Sequence, residues 1–178
     1  MLQKDIKKVL ISQEEIVKRS AELGRQITQD YEGKQVLAVA LLRGAVPFLA
    51  ELIKHIDLDI QYDFMDVTSY SGTDSTGEIK ILKDLDTPIR GLDVLLVEDI
   101  VDTGRTLQAV RKLLLDRGAA SFRMVALLDK PERRVVDIQA DYVGFTVPDE
   151  FVVGFGLDFN QHFRSLPYIG VLKDECYK

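Results

Sequence analysis

The sequence predicts an α/β domain in which a mostly parallel central sheet is flanked by helices. Three observations carry that expectation. Residues 36–42 (VLAVALL), 94–97 (VLLV) and 122–128 (FRMVALL) are short apolar stretches of strand length. Stretches of that kind suit strands buried on both faces, as in a parallel sheet covered by helices. The first two are each followed by a small polar loop and then a helical spacing of apolar residues, the order of a βα unit. The 178 residues suit one domain with at most a small appendage.

Composition bounds the function. Hydrophobic residues make up 46% of the chain, enough for a sizeable core. No apolar run approaches a membrane span. Lys4, Lys7 and Lys8 are not followed by an apolar segment, so no signal peptide is expected. Cys176 is the single cysteine, which rules out a disulfide within the chain and points to the cytoplasm. The net charge of −6 argues against a general nucleic-acid binder, which carries a basic surface. Neither repeats nor low-complexity tracts are evident.

Residues 5–11 read as a short strand. Ser12-Gln13-Glu14-Glu15 then fits a capping box, with Ser12 as N-cap and Glu15 at the third helical position. Ile16, Ser20, Leu23 and Ile27 share one helix face, and Gly33 closes the segment. After the strand over 36–42, Arg43 and Gly44 form a strand-to-helix loop. A helix is expected over 46–55, with Pro47 tolerated in its first turn. Such loops line the ligand crevice of open α/β sheets. Arg43, with its five donors and permanent charge, suits an anion, although a lone surface arginine is more often solvated.

Leu58, Ile60, Tyr62 and Phe64 alternate with Asp59, Gln61, Asp63 and Met65, the pattern of a strand with one buried face. Residues 69–77 (SYSGTDSTG) are a polar, Gly-rich loop and 78–82 a returning strand. A hairpin connection and a lid over a site both fit that loop. Following residues 94–97, Leu107, Val110 and Leu114 fall on one helix face, and Gly118 suits the position just past the helix end. The strand over 122–128 stops at Asp129-Lys130-Pro131, where Lys130 by itself reads as an exposed turn lysine. Beyond Tyr142 the chain is richer in aromatics, most of them assigned to the core, and 168–172 is the last strand.

The chemistry concentrates in residues 94–106, VLLVEDIVDTGRT. Glu98 and Asp99 sit at the expected strand end. Asp102-Thr103-Gly104-Arg105-Thr106 supplies amides and hydroxyls around a glycine that leads into a helix. The first turn of a helix offers free amides and a dipole that favours an anion. Thr103 and Thr106 add hydroxyl donors, and Gly104 permits close approach of a phosphate. Acids beside such a loop repel an anion unless the ligand also carries groups that carboxylates bind. A ribose diol donates to carboxylates, and a polyphosphate brings Mg2+, a hard cation with oxygen ligands. A sugar phosphate bearing a diphosphate meets all of these conditions. No GxxxxGK[ST] occurs, nor a GxGxxG between strand and helix. A phospho-acceptor aspartate at a strand end leaves the DTGRT run unexplained. An ordinary strand-to-helix turn with solvated acids fits these residues about as well as a phosphate site does.

VLLVEDIVDTGRT closely resembles the signature of the type I phosphoribosyltransferases. Flanking segments narrow the resemblance, over nearly the whole chain, to the hypoxanthine and hypoxanthine-guanine branch of that family. The resemblance implies a small hood built from both terminal regions and a mobile lid over about 69–82, in which Ser69-Tyr70 matches a Ser-Tyr pair. It implies purine salvage: Mg2+-dependent transfer of the 5-phosphoribosyl group from phosphoribosyl diphosphate to N9 of hypoxanthine or guanine, giving IMP or GMP and diphosphate.

By matched position, Glu98, Asp99, Asp102, Thr103, Gly104, Arg105 and Thr106 hold the phosphoribosyl group, and Asp102 takes or shares the N7 proton. LLRGAVPF matches the diphosphate loop, so Arg43 and Gly44, with Arg164, are the implied diphosphate ligands. Arg43 stands where the family usually has lysine, so backbone contacts carry more of that loop's part. A cis peptide at Leu42-Arg43 is also implied. Lys130 matches the lysine that donates to the purine O6, Phe151 the ring that stacks on the base, and Val152 the backbone that meets the base edge. Asp158 matches an acid near the Mg2+-diphosphate, and Glu98, Asp99 and Asp158 are the implied metal ligands. Glu150 stands where some members carry lysine. A homodimer or homotetramer is expected, with no nucleic-acid or membrane partner. Enzymes for xanthine, adenine, uracil or orotate, and a regulator that retains the fold without useful catalysis, are the alternatives. Lys130 and Phe151 oppose the adenine, uracil and orotate versions, and the set of Asp102, Arg43 and Arg164 opposes the regulator.

Overall fold

Short-range signals place most of the elements. Strand β1 (Ile6–Ile11) leads into α1 (Gln13–Asp30) through the expected capping box: Glu15 N–H donates to the Ser12 hydroxyl, and Ser12 N–H to the Glu15 carboxylate. The buried face of α1 is Ile16, Ser20, Leu23, Gly24 and Ile27. Strand β2 (Val36–Leu41) is buried throughout, and α2 (Val46–Leu52) follows with proline in its first turn. α2 is shorter than expected because residues 53–55 tighten into a 3-10 turn. Strands β3 (Gln61–Ser69) and β4 (Ile79–Lys83) pair antiparallel. Then come β5 (Asp93–Val101), α3 (Arg105–Asp116), β6 (Ser121–Asp129), β7 (Tyr142–Thr146), β8 (Val152–Val153) and β9 (Ile169–Leu172). This computed structural model describes residues 2–69 and 79–177. Tyr70 and most of the expected lid lie outside the described residues, and Ser69 ends β3.

The main sheet has six strands in the order β4-β3-β2-β5-β6-β7, parallel except for β4 at its edge. Side chains alternate to its two faces. Ala38, Ala40, Leu95, Val97, Val125 and Leu127 pack with α1 and α2. Leu37, Val39, Leu96, Met124 and Ala126 pack with Leu107, Val110 and Leu114 of α3, the face read from the sequence. Burial on both faces is why these strands read as continuous apolar runs. A separate antiparallel sheet, β1-β9-β8, joins segments from both ends of the chain. Among the described residues no helix is long and apolar enough to cross a membrane.

Two expectations need correction. The alternation over 58–65 put Tyr62 and Phe64 on the buried face, yet Tyr62 is 55% exposed while Asp63 and Met65 are buried. The Asp63 carboxylate is tolerated inside because it accepts the amides of Phe64, Asp86 and Thr87 at 2.7, 2.8 and 2.8 Å. The strand expected to end at Glu98 and Asp99 instead runs to Val101. Pairing with β6 continues there, from Glu98 opposite Ala126 to Val101 opposite Asp129. Glu98 and Asp99 therefore lie within β5.

Candidate active site

The parallel topology sets the loops after β2, β5 and β6 side by side at the carboxyl edge of the sheet. Arg43 and Gly44, Asp102 to Thr106, and Lys130 belong to these three loops. The segment between β8 and β9 comes back over the same edge and adds Asp158 and Arg164.

Gly104 is the N-cap of α3 and adopts φ 84°, a left-handed conformation that glycine takes without strain. α3 opens directly on the Asp102 to Thr106 loop, with Arg105 and Thr106 in its first turn. Asp102 is partly exposed, and its Oδ1 accepts from Arg133 Nε at 3.1 Å.

Glu98 is 7% exposed, and its Oε1 is buried without a hydrogen-bond partner. Burial, together with the neighbouring Asp99 carboxylate, pushes its pKa well above the ordinary carboxylate range. Asp99 is pushed up to about 6, mainly by burial. The Ile100 amide, which donates to Asp99 Oδ1 at 2.7 Å, and the nearby Arg164 charge oppose that rise, while Asp158 adds to it. A buried carboxyl with one unpartnered oxygen, beside the half-buried Asp99, suits ligand hydroxyls.

On the other flank, the Leu42-Arg43 peptide is cis, as the resemblance implied. Gly44 lies hard against Asp99: a Cβ built at Gly44 would fall 1.7 Å from Asp99 Oδ2. Arg43 and Arg164, far apart in sequence, meet at one acceptor, Gln161 Oε1, at 3.4 and 2.9 Å. Arg164 also donates to the Gly156 carbonyl at 2.6 Å and pairs with Asp158 at 2.9 Å. Its Nε is buried without a partner, a donor left over for an anion. Asn160, Gln161 and Phe163 all carry positive φ, at 50°, 67° and 74°. Such strain in non-glycine residues concentrates at binding sites.

Between these flanks a cavity of about 370 Å³ is lined by Ile100, Asp102, Lys130, Phe151, Val152 and Tyr177, among others. That is within the size range of small-molecule clefts. Lys130 is not the solvated turn residue its local sequence resembles. It is 8% exposed, and its ammonium donates to the Glu150 carbonyl at 2.5 Å, with Asp149 at 3.7 Å. Phe151 has an edge contact with Phe159 and stacks on Tyr177, with ring centroids 4.7 Å apart. Glu150 Oε1 pairs with Lys8 of β1 at 3.0 Å. A similar cavity at Thr87, Arg90 and Arg117 lies at the opposite end of the sheet and gathers no comparable chemistry.

Glu98, Asp99 and Asp158 do not form a cage. Among the described residues no group of three or more acidic, histidine or cysteine side chains could hold an ion. The reason is visible in the contacts. Glu98 is buried with a raised pKa, and Asp158 is engaged by Arg164 and by the Gln161 amide at 2.8 Å. Mg2+ needs only one or two carboxylates when substrate phosphates and water complete its shell. Asp99 and Asp158, hard oxygen donors flanking Arg164, fit that arrangement.

Several lining residues are not evident from sequence. Ile100 looks like one more strand residue, Gln161 like a loop polar, and Tyr177 like a tail aromatic. Arg133 and Arg134 follow Lys130 closely in PERR, and that paired charge beside a site lysine is the one signal that was available.

The chain matches the phosphoribosyl transferase domain family over residues 9–160. It is 61% identical to the hypoxanthine-guanine phosphoribosyltransferase of Streptococcus thermophilus, with 99% of each chain covered. It is 58% identical to the enzyme of the same name from Lactococcus lactis, covering 99% of this chain and 96% of that one. Among solved structures, the hypoxanthine phosphoribosyltransferase of Staphylococcus aureus superimposes with a TM-score of 0.97 at 50% identity, covering 99% and 97% of the two chains.

Proposed function

Because the chain belongs to the phosphoribosyltransferase family, we propose that it catalyses purine salvage, moving the 5-phosphoribosyl group from phosphoribosyl diphosphate to N9 of hypoxanthine or guanine. IMP or GMP and diphosphate are the products. One observation supports this best: the Asp102 carboxylate, at the start of the phosphate-type loop, and the buried Lys130 line a single cavity with the Phe151 ring.

In this reading the loop of Thr103, Gly104, Arg105 and Thr106 receives the 5′-phosphate at the N-terminus of α3. Glu98 and Asp99 take the ribose hydroxyls. Purine N9 attacks C1 as the C1–O bond to diphosphate breaks, and the N7 proton passes to Asp102, which lines the cavity. Positive charge develops at C1, and the carboxylates around it stabilise that charge. Arg43, Gly44 and Arg164 receive the departing diphosphate. Asp99 and Asp158 would hold Mg2+ together with substrate oxygens, and the ion would supply further neutralisation of that diphosphate. Lys130 spends one donor on Glu150 and keeps others for the purine O6. Adenine presents an amino group there, donor against donor, and is rejected. Phe151 stacks on the base, and Val152 offers its backbone.

The β1-β9-β8 sheet serves as the hood of a single domain. A cytoplasmic homodimer or homotetramer completes the proposal, in line with the lone Cys176.

Initial rates with phosphoribosyl diphosphate, Mg2+ and each of hypoxanthine, guanine, xanthine and adenine test it, beside Asp102→Asn. Turnover of hypoxanthine or guanine but not adenine is expected, with kcat down about 100-fold or more in the variant. Turnover of adenine or xanthine alone overturns the base assignment, and an unaffected variant overturns the role of Asp102.

A further inference from the structure

Arg134 takes no part in the reaction just described, yet all three guanidinium nitrogens have partners behind the phosphate loop. Nε donates to the Asp102 carbonyl at 2.9 Å, one terminal nitrogen to the Ile138 carbonyl at 2.6 Å, and the other to the Val101 carbonyl at 3.3 Å. That last nitrogen also pairs with the Asp129 carboxylate at the end of β6. Both side chains are largely buried, 14% and 19% exposed, so the charge is neutralised where water cannot screen it.

The backbone of the same segment completes the pattern. Lys130 N–H donates to the Val101 carbonyl at 3.0 Å, and Val135 N–H to the Thr103 carbonyl at 3.1 Å. Three successive carbonyls, of Val101, Asp102 and Thr103, are thus held by residues 130–135. In a planar trans peptide the N–H points opposite to the C=O of the same unit. The amides of Asp102, Thr103 and Gly104 are therefore turned away from that segment. Contact is tight as well: a Cβ at Gly104 would lie 2.5 Å from Ile138 Cγ2 and 3.0 Å from Arg134 Cδ.

We propose that Arg134 is a positioning residue for the phosphoribosyl site, aiming the loop's amides at the 5′-phosphate by gripping the carbonyls behind them. A planar five-donor fork can serve several acceptors at once, whereas a lysine ammonium reaches only those near a single point. The inference rests on the reaction proposed above, because the phosphate belongs to its substrate.

Arg134→Lys and Arg134→Met separate aim from stability. The full-length chain is titrated with ribose 5-phosphate by calorimetry, and KM for phosphoribosyl diphosphate and for hypoxanthine, kcat and Tm are measured. Arg134→Lys, which retains a cation for Asp129, is expected to recover much of the Tm lost in Arg134→Met. Both variants should bind ribose 5-phosphate about tenfold more weakly, and KM for phosphoribosyl diphosphate should rise about tenfold while that for hypoxanthine moves less than about threefold. Wild-type values of both phosphate readouts in Arg134→Lys would overturn the proposal, leaving Arg134 a core ion pair. If Arg134→Met does not fold, Arg134→Lys decides alone. If the wild type binds ribose 5-phosphate but turns over no purine, the reaction fails and the binding comparison still decides Arg134. A wild type that does not bind ribose 5-phosphate overturns it.

Discussion

Replacing Gly156 with alanine perturbs the contact that joins the two diphosphate-binding segments. Gly156 has φ +101°, and a Cβ there would lie 1.9 Å from the Gly44 carbonyl oxygen and 3.0 Å from Pro47 Cδ. Side-chain carbons do not come closer than about 3.0 Å to such atoms, so the Gly44 carbonyl must withdraw by roughly 1 Å. Gly44 is itself pressed against Asp99, and the Gly156 carbonyl anchors Arg164. Both sides of the diphosphate site therefore move. The left-handed backbone costs alanine about 1–3 kcal/mol, which lowers Tm by about 2–4 °C per kcal/mol in a domain of this size. A misplacement of about 1 Å in a positioning element costs about 100-fold in rate. The assay is initial velocity against phosphoribosyl diphosphate at saturating hypoxanthine, with Gly33→Ala as reference. Gly33 has φ +74° and nothing within 4 Å of its Cβ position, so it carries the backbone cost alone. kcat/KM for phosphoribosyl diphosphate is expected to fall about 100-fold in Gly156→Ala and to hold in Gly33→Ala. If the two variants agree within about threefold, the contact between residues 44 and 156 does not position the site.

Two further outcomes follow from buried polar groups. Burial alone would raise the pKa of Asp63, but the amides of Thr87, Phe64 and Asp86 outweigh it and the net shift is downward. A depressed native pKa gives stability that is present above the ordinary aspartate value and lost as pH falls through the native one. Asp63→Asn should therefore cost about 1–3 kcal/mol at neutral pH and flatten the loss of stability below about pH 4 in urea titrations; a parallel acid loss in both proteins would clear Asp63 as its cause. Lys130→Met should lower kcat/KM for hypoxanthine about 100-fold or more without admitting adenine, and KM for phosphoribosyl diphosphate should stay within about threefold. Undiminished hypoxanthine turnover would remove Lys130 from the O6 contact.

What was legible in the sequence was short-range. The capping box of Ser12 and Glu15, the continuous burial of β2, the Leu107-Val110-Leu114 face and the Gly104 turn into α3 each depend on residues within a few positions of one another. Local periodicity and capping act at that distance, so they can be read without knowing what the segment packs against. The same local reading failed where a distant partner decides burial. Alternation turned Asp63 outward, whereas the amides of Asp86 and Thr87 hold it inside. Lys130 passed for a surface turn residue because nothing near it reveals the Glu150 carbonyl that accepts its hydrogen bond. Glu98 and Asp99 were read as the end of a strand that continues to Val101, because its length is set by pairing with β6, not by its own hydropathy. The meeting of Arg43 and Arg164 on Gln161, and the grip of Arg134 on the phosphate loop, likewise exist only once separate loops share one edge of the sheet. Residue types and their order determined which groups this chain could offer a sugar diphosphate. The tertiary structure decided which of them are desolvated, satisfied or left unpaired, because burial and hydrogen bonding of a polar group depend on neighbours brought in from far along the chain.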